Sequence, residues 1–244
     1  MRPIAFACVL ACAAPVLAGE DPVPTVKEEE TGVRFPTWLK APRGEGTGRV
    51  DLLGTGVRQK TIFNVNVYAL GLYADLDRAV PALRAAAGTM DRKAAVADTG
   101  FRNVLLRDEI GKSLRWVMCR DVDGEDIASA FAKSLDPRIA ALAKTDEEKQ
   151  AAKAAVTTFR ALFTTELTKG TELLFHWEPG GRLHTVIGGE SKSSIRSAIL
   201  CAALFAVYLD DDPISEDAKT HILEGAWKKV EEAKAKAEEP APPK

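Results

Sequence analysis

The sequence predicts an α+β fold in which an antiparallel sheet carries helices on one face. Three observations support this. Strand signals come first, at the glycine-punctuated residues 48–58 and at 61–73, which alternate from Phe63 to Val67. Helical stripes follow, at 127–135 and 145–163. A hairpin at 173–187 then precedes two further helices. Strands, helices, hairpin, helices is not the alternating order that builds a parallel sheet.

Residues 48–58 are a short strand punctuated by Gly48, Gly54 and Gly56. Residues 61–73 alternate apolar and polar from Phe63 to Val67 and are rich in β-branched and aromatic side chains. A short helix is expected over 80–87, ended by Gly88, while 105–110 shows no clear pattern. Residues 114–122 form a strand that is largely apolar on both faces. Gly124-Glu125-Asp126 opens a helix whose Ile127, Phe131 and Leu135 recur every four residues. Thr145 caps the next helix, with Glu148 three residues on and a stripe of Ala152, Val156, Phe159 and Phe163.

Residues 173–177 and 183–187 flank Glu178-Pro179-Gly180-Gly181-Arg182, which reads as a hairpin turn. The helix of 193–209 is almost entirely apolar in its second half and should be buried, and Asp210-Asp211-Asp212-Pro213 stops it. Ser215 caps the last helix, with Glu216 and Asp217 in its first turn. Ala218 three residues after the cap leaves no reciprocal capping box.

At the N-terminus, Arg2, an apolar stretch and Val16-x-Ala18 before Gly19 make residues 1–18 a secretory signal peptide cut after Ala18. The expectation is an exported, periplasmic protein. The alternatives are lipid attachment at Cys12, since Val9-Leu10-Ala11-Cys12 resembles a lipobox, and an uncleaved buried helix. Residues 19–30 read as a flexible leader, 31–230 as one domain and 231–244 as a charged, Pro-ended tail. No segment of the mature chain is apolar for long enough to span a bilayer. Cleavage leaves Cys119 and Cys201, whose apolar neighbours favour two buried thiols over a disulfide between them.

Several function classes are disfavoured. With 33 Lys+Arg against 35 Asp+Glu, the chain has no electrostatic footprint for nucleic acid or an anionic membrane. Dinucleotide and nucleophile-elbow motifs do not occur, and Gly111-Lys112-Ser113 has Leu106 where a phosphate loop needs its first glycine. His176 and His184 sit on opposite hairpin arms, too few for zinc, and read as partly exposed strand residues. Asp210-Asp211-Asp212 reads as a polar stop. No metal and no cofactor are expected, and the sequence sets no oligomeric state.

One residue points to a ligand. Arg58 ends a glycine-rich run directly before the strand bearing Tyr68 and Tyr73. A guanidinium at the mouth of an apolar pocket offers a fixed fork to a carboxylate or enolate oxygen. The plain alternative is an edge-strand arginine in water.

Phe35-Pro36, Leu53-Gly54-Thr55-Gly56-Val57-Arg58 and Val67-Tyr68-Ala69-Leu70-Gly71-Leu72-Tyr73 resemble segments of the chalcone isomerase-like family. So do residues 114–122 with Asp123-Gly124-Glu125-Asp126, the hairpin, and Leu209-Asp210-Asp211-Asp212-Pro213-Ile214-Ser215. The resemblance covers about residues 31–230 and implies an open-faced β-sandwich, a large antiparallel sheet with a helical layer and a ligand cleft between them. The family contains plant isomerases, which cyclise chalcones around an arginine that holds the phenolate, and non-catalytic relatives that bind fatty acids.

Arg58 resembles that arginine, but Tyr68 stands where the isomerases place a threonine. Ile127 falls near their tyrosine, Ser134 near their asparagine, and Cys201 or Ala202 near their last Ser/Thr. Ile127 cannot donate to a ketone, so part of their electrostatic machinery is missing. Arg58 with Tyr68 resembles the fatty-acid-binding members instead, in which the pair holds the carboxylate. That resemblance implies a cleft drawn from Val57, Val65, Val67, Ile127, Phe131, Ser134, Leu200, Cys201 and Leu204. The expected function is a non-enzymatic binder of a fatty acid or similar amphiphilic carboxylate. The alternatives are an intramolecular lyase using Arg58 and an interaction protein without a small ligand.

Overall fold

Side-chain alternation along long antiparallel strands sorts this chain into two faces. The computed structural model describes residues 22–60 and 65–238. A small hairpin, β1 (Thr25–Lys27) with β2 (Arg34–Pro36), stands apart from the main sheet. The main sheet runs antiparallel through β3 (Trp38–Arg43), β4 (Gly46–Lys60), β5 (Val65–Ala74), β6 (Lys112–Met118), β7 (Glu172–Glu178) and β8 (Arg182–Ile187). The short β9 (Glu190–Ser191) and β10 (Ile195–Arg196) both pair with β8.

Between β5 and β6 lie α1 (Leu76–Ala87), α2 (Arg92–Ala97) and α3 (Thr99–Val104). Between β6 and β7 lie α4 (Gly124–Leu142) and α5 (Asp146–Arg160), and α6 (Ala198–Leu209) and α7 (Glu216–Glu238) follow the sheet. Leu70, Leu72, Leu114 and Trp116 join the helices in the main core. Tyr73 belongs to a second cluster with Ala41 and Val50, and Phe35 lies against Gly71. This is the α+β arrangement expected, with the sheet curled.

Helix α7 lies directly on the backbone of β4. A Cβ at Gly54 would stand 2.6 Å from the His221 carbonyl oxygen, and one at Gly56 would stand 2.4 Å from the Ala218 Cβ. On the helix side, a Cβ at Gly225 would stand 1.5 Å from the Leu53 carbonyl oxygen. Leu53 is itself a bulge, skipped between the register pairs Leu52–Tyr73 and Gly54–Leu72. The glycine punctuation of β4 is therefore packing chemistry.

Several elements differ from the sequence reading. Strand β4 runs fifteen residues rather than being short. Helix α1 starts four residues early because the Asp75 carboxylate accepts from the Asp77 amide. Asp91 and Asp98 cap α2 and α3, each only six residues and too brief to show a stripe. Strand β6 ends at Met118, beyond which Val122 only bridges Leu167.

Helix α4 continues past Leu135 through Pro137. Residues 195–196 are strand, and the helix expected from 193 starts at Ala198, where the Ser197 hydroxyl accepts from the Leu200 amide. Part of the expected leader is structured too, since Thr25–Lys27 pairs with Arg34–Pro36 across a turn that the buried Glu28 carboxylate holds from the Thr31 amide at 2.8 Å. The Thr145 cap is present, but Glu148 reaches back to the Lys144 amide rather than to that of the cap. Cys119 and Cys201 are free thiols. The signal-peptide segment 1–18 and the last residues of the tail, 239–244, lie outside the described residues, as do 61–64. Among the described residues no helix is long and apolar enough to cross a membrane.

The two histidines are register partners on the hairpin, but His176 is buried rather than partly exposed. Its Nε2 donates to the Pro42 carbonyl at 2.8 Å, which leaves Nδ1 to accept from the Ser113 hydroxyl at 2.9 Å. Burial pushes this imidazole down to about 4.

Two outcomes follow for stability. Gly225→Ala should destabilise the protein by about 3 kcal/mol or more in urea unfolding, because helix and strand must separate; a change under about 0.5 kcal/mol would contradict the close approach. His176 binds its proton more weakly folded than unfolded, so its contribution is complete above about pH 6.5 and is lost as pH falls toward 4. The slope is at most about 1.4 kcal/mol per pH unit. Unfolding curves at pH 7 and 4.5 should show a smaller acid loss in His176→Gln than in the wild type.

Candidate functional site

Bulging in β5 prepares a cavity at one end of the sheet. Arg58 and Tyr68 are register partners, but the next pair is Gln59 with Asn66, so Val67 is the extra residue. This lets Val67 and Tyr68 border the same cavity of about 270 Å³ beside Arg58. Ile127, Phe131 and Ser134 approach from α4, where spacings of four and three keep them on one face. Val207 and Tyr208 close it from the last turns of α6, with Ile214 beyond.

At the polar end, the Tyr68 and Tyr208 hydroxyls lie 2.7 Å apart. Burial raises both phenols above their ordinary range, so both keep their protons at neutral pH. One proton is shared within the pair and the other remains free to donate. Arg58 Nη1 donates to the Ile214 carbonyl at 2.8 Å, and no carboxylate among the described residues forms an ion pair with it.

The segment bearing Ile214 is itself held. Arg138 grips the Asp210 carboxylate through two nitrogens at 2.7 and 3.0 Å, and Arg102 reaches Asp211 at 2.8 Å. The acidic run is thus a pair of clamps rather than only a polar stop.

At the apolar end, the Trp116 ring stacks on Tyr68 at 4.0 Å and on Phe131 at 5.4 Å. The rim carries Lys60 and Arg120 together with Asp121, Asp123 and Asp126. Asp123 caps α4 through the Glu125 amide, and Asp121 accepts from the Lys169 amide.

The structure therefore brings six of the eleven candidates together: Arg58, Tyr68, Val67, Ile127, Phe131 and Ser134. The other five lie outside this cavity lining. Val57 is one residue from Arg58 and so points to the opposite face of the strand. Val65 starts β5 and is 37% exposed. Leu200, Cys201 and Leu204 belong to the first turns of α6 and are completely buried in the core. Trp116, Tyr208 and Ile214 escaped the sequence reading, although Tyr208 is the one phenol in an otherwise apolar helix. Among the described residues no three His, Cys, Asp or Glu side chains are grouped to hold a metal ion.

The family profile described as chalcone isomerase like matches residues 48–223. Fatty-acid-binding protein 1 of Arabidopsis thaliana is 24% identical over 208 residues, covering 83% of this chain and 70% of that protein. Fatty-acid-binding protein 2 of the same plant is 31% identical over 203 residues, covering 80% of this chain. Those residues are 49% of that relative, so this chain spans about half its length. Chalcone isomerase-like protein 1 of Humulus lupulus is 26% identical over 188 residues, covering 75% of this chain and 82% of that protein. A crystal structure of an A. thaliana fatty-acid binding protein superposes with a TM-score of 0.71 at 22% identity. The superposition covers 85% of this chain and 99% of that one, and both share the curled sheet with its helices.

The phenol pair has a measurable signature. Tyr68→Phe or Tyr208→Phe alone leaves a buried hydroxyl without its partner and should cost about 1–3 kcal/mol of stability. The double Phe variant should cost clearly less than the sum of the two. Strict additivity in urea unfolding would show that the hydroxyls are not coupled.

Proposed function

The chain belongs to the chalcone isomerase-like family, and on that premise we propose that it is a non-catalytic binder of a fatty acid or a similar amphiphilic carboxylate. The observation that carries this reading is the donor set at the head of the cavity. Arg58 has guanidinium protons left after its bond to Ile214, and the Tyr68–Tyr208 pair has one more. A carboxylate presents two oxygens and one negative charge, which matches a fork and a phenol. The remaining wall, built from Ile127, Ala130, Phe131 and Trp116, asks only for an apolar tail. The fatty-acid-binding relatives support the same class of ligand.

Cyclisation of a chalcone would need a donor over the ketone as well as a cation for the phenolate. The α4 wall presents Ile127, Ala130 and Phe131 to the cavity, with Ser134 as its hydroxyl and Asp126 at the rim. That composition suits retention of an apolar group better than stabilisation of an enolate.

Location is part of the proposal. The apolar stretch behind Arg2 and the small residues at Val16-x-Ala18 support export to the periplasm, with cleavage after Ala18.

Mass spectrometry of the full-length gene product, purified with and without organic extraction, tests both parts. The wild type should yield about one equivalent of a carboxylic acid, and Arg58→Ala should lose it. Loss of one charge-assisted contact weakens binding roughly tenfold to a hundredfold. A wild type that yields no acid and takes up none would overturn the binding proposal. An intact mass that retains residues 1–18 after secretion-competent expression would overturn cleavage.

A further inference from the structure

The cavity stops early. Beyond Phe131 the space between sheet and helices is filled by aromatic rings. Phe131 meets Phe159 edge-on at 4.8 Å and Phe163 at 5.2 Å. On the sheet side, Trp116 meets Phe175 edge-on at 4.9 Å. Phe159 and Phe175 are completely inaccessible to solvent, as are Leu200 and Leu204 farther in. A tail that follows the layer inward therefore reaches a wall of packed rings, and advancing would break those contacts.

Volume gives the length. A dry cavity of about 150 Å³ accommodates benzene, roughly 25 Å³ for each carbon. At that ratio the 270 Å³ here holds about eleven heavy atoms. Hexadecanoate would leave its last methylenes without room. We infer that the natural ligand is a compact monocarboxylate of about eight to ten carbons, its tail end seated on the Trp116–Phe131 ring stack. This inference rests on the carboxylate reading above and adds a size limit to it.

The limit has a thermodynamic shape. Each methylene that enters an apolar slot strengthens binding by about fourfold, and one with no slot left adds nothing. Calorimetric titration of the delipidated wild-type protein with hexanoate, octanoate, decanoate, dodecanoate and hexadecanoate reads that shape. Affinity should climb by roughly an order of magnitude for each two carbons up to about decanoate, then level or fall. The same series with Phe131→Ala should move the break to longer acids by about three carbons, because the ring that ends the slot is gone. If that variant does not fold, Ile127→Ala widens the same slot at its side and should move the break by about one or two carbons.

A climb that continues unbroken to hexadecanoate would overturn the size limit while leaving carboxylate binding intact. A break that stays at the same length in both cavity variants would show that the rings do not set it, and would overturn the inference equally. Binding of none of the five acids would overturn the carboxylate reading itself, and the size limit with it.

Discussion

The seam between α7 and β4 is the constraint on which the rest depends. Gly54 and Gly56 on the strand and Gly225 on the helix remove the side chains that would hold the two backbones apart. Once α7 is seated, its start at Glu216 and the preceding Ser215 cap are fixed over the end of β4. That places the Ile214 carbonyl where Arg58 can donate to it. The position of the Arg58 guanidinium beside the phenol pair thus follows from three missing Cβ atoms. A guanidinium on a free strand end would sweep through solvent and lose rotamer entropy on engaging a ligand; here much of that cost is met in folding.

A second constraint acts on the far side of the loop. Arg138, half-buried, and Arg102, buried, reach out of α4 and α3 to the acidic run that follows α6. Withdrawing a guanidinium from water requires compensation, and Asp210 supplies it for Arg138 with two parallel bonds. The Arg138 clamp ties α4, which forms one wall of the cavity, to the segment that carries Ile214, and the Arg102 clamp ties α3 to it. Wall and cation are therefore joined through the Arg138–Asp210 pair, which lies outside the cavity lining.

The legibility of the chain divides along physical lines. Patterns with a period, such as the Ile127–Phe131–Leu135 stripe or the hairpin around Gly180-Gly181, could be read because local sequence dictates them. The caps at Thr145 and Ser215 could be read for the same reason. Helices α2 and α3 could not, because six residues show no full stripe and only Asp91 and Asp98 mark them. The cleft was half legible. Arg58 and Tyr68 face each other by strand register, which alternation carries. Val67 shares their side only through a bulge, and Tyr208 meets Tyr68 only because the α6 end is carried to the sheet end by the tertiary fold. Leu200 and Leu204 have the same apolar chemistry as a cleft wall, and only packing distinguishes the two.

The distribution of titratable groups bears on what kind of work the cavity can do. Proton transfer near neutrality needs a group poised there. Among the described residues two side chains have been moved toward that range or through it, and neither faces the cavity. Lys112, which burial brings down to about 7, donates to the Arg107 carbonyl and sits 3.6 Å from the Trp177 ring centre, sealed in the core. His176, lowered to about 4, is locked between Ser113 and Pro42. Within the cavity, burial holds both phenols protonated. What the cavity offers is a fixed positive charge and donors that do not give up their protons. Such a set stabilises an anion that arrives already formed.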